Sequence, residues 1–325
     1  MQPDTLLTLW HCCASLLGVA ANAAATLPLM AALALLIGRR GHAAICLAGA
    51  RELAGLALWL AAAWPLLIVT DAMVQLSLAT PAPLQSRLAA LFTPAGAGIS
   101  LSVAAWLCGA VSLWLGRRAC AASALRLSPG ADRYPASAVR APLAALLAAA
   151  FCALCALALK NWPFAGLPPG MDFWRVAGVV GKHACRTYFT GLTSGGAVGL
   201  VLVAVRVSAV ARSQTAAPRG HTDTMEITGA VRWCALWAVA GALPHLLERW
   251  GLTVGVWLRG NAAPLPGNPH AAVIQVVALG LLTLALAAWA ALLVGRQPLR
   301  RLPLAFAGLA LLLLAVSAPW ALALI

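Results

Sequence analysis

The chain alternates between long apolar runs and short connections that carry most of its arginines. Eight such runs lie near residues 5–36, 43–69, 95–116, 141–159, 176–205, 228–247, 271–294 and 302–324. Each reaches or approaches the roughly 20 residues that a helix needs to cross a bilayer. They are rich in Leu and Ala and show no period-2 alternation, so their backbone groups must be satisfied within helices and not within a closed barrel. The pattern predicts an all-α, polytopic membrane helix bundle of about eight transmembrane helices, in one domain over 1–325. The first run exceeds one straight crossing, and Asn22 and Pro28 predict either a kink or an outer end that protrudes.

Composition agrees with the pattern. Of 325 residues, 62% are hydrophobic and 9% charged, whereas soluble domains carry roughly a quarter charged residues. The net charge of +14 would by itself fit a nucleic-acid partner, but its distribution excludes one. Arg39 and Arg40 follow run one; Arg117, Arg118, Arg126, Arg133 and Arg140 follow run three. Arg206, Arg212, Arg219 and Arg232 follow run five, and Arg296, Arg300 and Arg301 follow run seven. The alternate connections hold only Arg87, then Lys160 and Arg175, then Arg249 and Arg259. Positive residues stay on the cytoplasmic side, so both termini are expected outside a bacterial inner (cytoplasmic) membrane. The start, Met1-Gln2-Pro3-Asp4, has no basic region, and the first run is too long for a cleaved signal peptide.

The longer connections, 117–140 and 206–227 inside and 160–175 and 248–270 outside, are read as loops. The outer two, rich in Pro, Gly and Trp, are expected to lie across the outer face and shield what is beneath. Trp10, Trp64, Trp162, Trp174 and Trp250 are placed at the interfaces, as an aromatic belt would be. Eight of nine cysteines fall inside the runs, with Cys120 in a loop; Cys152 and Cys155 read as packing residues within a helix.

Ionisable and metal-ligating residues inside a membrane mark function by default. His11, His183, His245 and His270 share the outer leaflet or its surface on this topology, while His42 and His221 lie in cytoplasmic loops. Two facing imidazoles would give a six-coordinate b-type haem; the bland alternative is that interfacial histidines anchor their spans. Arg186 lies three residues after His183 and shares its face, where a guanidinium could pair with a haem propionate or an acidic group at a quinone site. Lys182 and Arg51 are read as snorkelling to the interfaces. Glu52 is the one acidic residue well inside a run, a proton-path candidate or the structural partner of an arginine.

The stretch Lys182-His183-Ala184-Cys185-Arg186-Thr187-Tyr188-Phe189-Thr190-Gly191 resembles the fifth helix of subunit I of cytochrome bd quinol oxidases. That helix carries a haem-ligating His followed closely by Gly-Tyr-x-Thr-Gly; here Tyr188, Thr190 and Gly191 keep the mutual spacing, one residue nearer the His. Asn161-Trp162-Pro163 sits where the family has Asn-Gly-Trp. Leu9-Trp10-His11 looks like the aromatic-His pair of its first helix, and Leu91-Phe92-Thr93-Pro94 resembles the start of its third.

The departures narrow what the resemblance implies. Run three has no carboxylate where the family has glutamates, and Ala315 to Trp320 occupies the place of a later Glu ligand. The quinol-binding loop shrinks to 248–270, run seven has no Met, and a ninth helix is missing. Oxygen reduction is therefore not expected, whereas holding one or two b-type haems is. His270 in place of the family's Met would lower the haem potential, since Met ligation raises it. The expected function is a membrane b-type cytochrome subunit. It would carry electrons between the quinone pool and an extracytoplasmic c-type cytochrome or other respiratory subunit. His183 with His270 is the expected axial pair, His11 the ligand of a second haem, Arg186 a propionate partner, and His245 and Glu52 are additional candidates. The rivals are a small-solute or ion transporter and a haem-free anchor subunit of a respiratory complex.

Overall fold

The computed structural model describes residues 3–38, 43–70, 97–125, 136–163, 170–213, 221–258 and 271–321. Each apolar run is helical: α1 (Pro3–Gly38), α2 (Ala43–Leu60), α3 (Ala97–Leu125), α4 (Ala136–Lys160), α5 (Phe173–Ser213), α6 (His221–Leu258), α7 (Ala271–Val294) and α8 (Pro303–Ala321). A 3-10 turn, Pro298–Arg301, leads into α8, and no strand occurs among the described residues. Seven helices are long and apolar enough to cross a membrane; the eighth, over Pro303–Pro319, is apolar but shorter.

The helices overrun the boundaries read from hydropathy. α3 continues to Leu125, α5 to Ser213, and α6 covers His221 through Leu258, so parts of all four expected loops are helical. Arg, Ala and Leu are good helix formers, and hydropathy marks where the membrane ends, not where the hydrogen-bond ladder does. Cys120 is accordingly helical and fully buried, not a loop residue. α1 is a single 36-residue helix with Pro28 inside it, about 54 Å long at 1.5 Å per residue.

Residues 20–191 form one compact unit, and 1–19 with 192–325 the other. In the first unit α3 lays a face of small residues against α4. Its buried positions Gly98, Ser102, Gly109, Gly116, Cys120 and Ser123, with Trp106 and Leu113 between them, recur at three- and four-residue steps. Without lipid-excluding hydrophobic force between helices, such residues let backbones approach and gain dispersion contact. A Cβ on Gly109 would stand 3.1 Å from that of Cys152, and one on Gly116 3.2 Å from Leu146.

Pro65, just past the end of α2, and Pro142, inside α4, leave carbonyls four residues earlier without an N–H partner, and α3 supplies replacements. Pro65 deprives Ala61, whose carbonyl accepts from Trp106 Nε1 at 2.6 Å. Pro142 deprives Ala138, whose carbonyl accepts from Ser123 Oγ at 2.7 Å. Trp106 also stacks on Trp64, centroids 5.2 Å apart. Trp64 is thus only 4% exposed and belongs to the core, not to the interfacial belt. Beside this stack lies a cavity of about 10 Å³ lined by Pro28, Ala61, Trp106 and Gly109 among others, of the order of a single water.

The second unit relies on closer approaches still. A Cβ on Gly196 of α5 would collide with the Ala238 backbone nitrogen of α6, and one on Gly241 would meet Thr193 at 2.5 Å. Gly308 of α8 makes room for the fully buried Trp289 of α7. Arg232 Nη2 donates to the Gly295 carbonyl just past the end of α7, at 3.2 Å. Trp250 Nε1 donates to Thr283 Oγ1 at 3.2 Å.

Candidate functional site on helix α5

The residues that carry the resemblance lie in the first half of α5, within the first unit. Gly170, with φ of 76°, takes the left-handed conformation that only glycine adopts without strain and turns the chain toward the helix. Asp172 then caps it, its carboxylate accepting from the Arg175 backbone N–H at 2.7 Å and pairing with the Arg175 guanidinium at 3.7 Å. Trp162, Phe173 and Trp174 form a chain of ring contacts, each 5.3 Å between centroids. Trp174 is largely exposed, as an interfacial anchor would be.

From this aromatic collar α5 presents two faces. Ala184 and Tyr188 are buried, Tyr188 in the same apolar cluster as Trp64, Trp106 and Leu157. Gly191 lies against α1: the Thr26 hydroxyl sits 2.9 Å from the Asn22 carbonyl and 3.1 Å from that of Gly191, sharing one proton between them. The other face carries Val179, Lys182, His183, Arg186 and Phe189, all exposed. His183 and Arg186 are one turn apart, as their spacing implies. The family-like residues therefore divide by role. Tyr188 and Gly191 pack inward, and the imidazole and cations point away from the core.

The remaining candidates are dispersed. His11 on α1 and His245 on α6 are half-buried and belong to the second unit. His270, the expected axial partner of His183, lies outside the described residues. Glu52 is half-buried on α2 and engaged with a neighbour. No group of three or more His, Cys, Asp or Glu side chains gathers around a possible metal ion among the described residues, so a polydentate protein cage of the zinc type is not formed there. A haem asks less of the protein: one or two imidazoles, apolar walls and cations for its propionates. On its own side, the exposed α5 face provides each of these, with His183, with Val179 and Phe189, and with Lys182 and Arg186.

Sequence reasoning missed two features of this region. Tyr188 serves the core, and its hydroxyl is buried with no hydrogen-bond partner among the described residues. Thr26 ties α1 to α5. The second had a signal in the small residues at 190–196, which permit close helix crossing, but nothing in them named Thr26.

Apolar helices of this number and length define a multi-pass α-helical membrane protein in contact with lipid. No family model, curated protein or solved structure matches the chain.

Proposed function

We propose that the protein is a b-type cytochrome subunit that carries electrons at the outer leaflet, between membrane quinone and an extracytoplasmic redox partner. The observation that carries this reading is the division of the 182–191 segment into a packed face and a presented one. Ionisable side chains are costly in lipid, so Lys182 and His183, exposed on an apolar helix, call for something to cover them. A haem would meet that need with one group. His183 would hold the iron through an imidazole nitrogen, Arg186 and Lys182 would pair with the propionates, and Val179 and Phe189 would exclude water from the ring edge. When bound, the haem supplies one-electron transfer.

The bilayer-facing side of α5 would admit a quinone from lipid. Oxygen reduction does not enter this proposal, because α3 has no Asp or Glu to deliver protons. Purification followed by a pyridine haemochrome assay and a reduced-minus-oxidised spectrum tests the reading. A b-type signal near one or two haems per chain is expected. Protein with no Soret band would favour a transporter or a haem-free anchor instead.

A further inference from the structure

Helices α2 and α3 cross near the end of the first unit where its arginines collect. The Arg117 guanidinium rests on α2 at Gly55: a Cβ there would stand 3.3 Å from Nε and 3.6 Å from Cζ. Arg51 lies one turn before Gly55 on the same face of α2, and its charge reaches Cys120, one turn beyond Arg117 on α3. Two exposed guanidiniums thus flank one groove. Among the described residues neither is paired with a carboxylate.

The surroundings say what kind of anion belongs there. Arg118, the next residue, sits 4.3 Å over the Trp114 ring, the pairing expected at headgroup depth. Below Arg118, on the side of α3 that adjoins Arg117, Leu107, Val111 and Leu115 are exposed, an apolar strip along which acyl chains would lie. We infer that the groove between Arg51 and Arg117 binds the phosphodiester of an anionic phospholipid, with the lipid's chains laid along α3. Guanidinium forks match phosphate oxygens bidentately, and an anion between two like charges removes their repulsion. This site is independent of any haem.

The test uses the full chain reconstituted into vesicles of equal phosphatidylglycerol and phosphatidylcholine, extracted mildly, with the retained lipid quantified. Enrichment of phosphatidylglycerol by about tenfold is expected from two arginines near the surface. It should fall toward unity in R51Q/R117Q and stay unchanged in R175Q. Should the double Gln variant not fold, R51K/R117K keeps the charge but loses the forks, and a several-fold loss is expected. Wild-type protein with no preference would overturn the proposal, as would unchanged enrichment in the double variants. Release of the lipid by millimolar inorganic phosphate would assign the groove to soluble phosphate and overturn it equally.

Discussion

At the scale of single residues, the packing of the first unit is governed by carbonyls that prolines have orphaned. Trp106→Phe keeps the ring stack on Trp64 but removes the donor to the Ala61 carbonyl. It should cost about 1–2 kcal/mol, the usual penalty for a buried acceptor left unpaired. Pro65→Ala should recover most of that loss, because the restored N–H can bond the Ala61 carbonyl in the turn after α2. A double-mutant cycle on unfolding in detergent checks this, and additive effects of the two changes would contradict it. Ser123→Ala should cost about 1 kcal/mol through the Ala138 carbonyl. The acceptors were legible in the sequence, since each lies four residues before a proline. The donors were not, because Trp106 and Ser123 come from a different helix and only the register of α3 chooses them. Trp64 was misplaced for the same reason: an interfacial and a core tryptophan have identical sequence context until a partner ring is known.

At the scale of helices, the existence and order of the elements followed from apolar periodicity and length, while their ends did not. Cys120 illustrates the failure. Hydropathy drops at Arg117 and Arg118, yet the helix continues through good helix-forming residues to Leu125. Small residues decide how the helices pair, and they divide sharply in sensitivity. Gly196→Ala would drive a methyl into the Ala238 backbone nitrogen, and it should prevent α5 and α6 from closing or destabilise by about 3 kcal/mol or more. Gly49→Ala, which meets nothing within 4 Å, should instead be neutral or stabilising by about 0.5–1 kcal/mol. Thermal unfolding of the two purified variants separates them. Equal midpoints would show that the α5–α6 approach is not as close as described.

For the whole molecule, topology and redox chemistry are the two claims at stake. The arginine bias predicts that 206–227 faces the cytoplasm and 248–270 the outside. In a background without native cysteines, an impermeant maleimide should label Gly267→Cys on intact cells but Thr215→Cys only after lysis; the reverse pattern would invert the topology. The candidate site was partly legible. The 182–191 segment predicted a helix, and its spacing put the candidate residues His183 and Arg186 on one face, where both are found. The sequence did not reveal that Tyr188 turns into the core, because helical phase is set by what the neighbouring helices offer. The role of His183 as an axial ligand is the central claim, and it is tested most directly by the reduced-minus-oxidised spectrum of purified His183→Ala beside the wild type. Wild-type protein should give a low-spin b-haem α-band that the variant lacks, at equal yield of folded protein. An α-band of unchanged position and height in the variant would contradict the account.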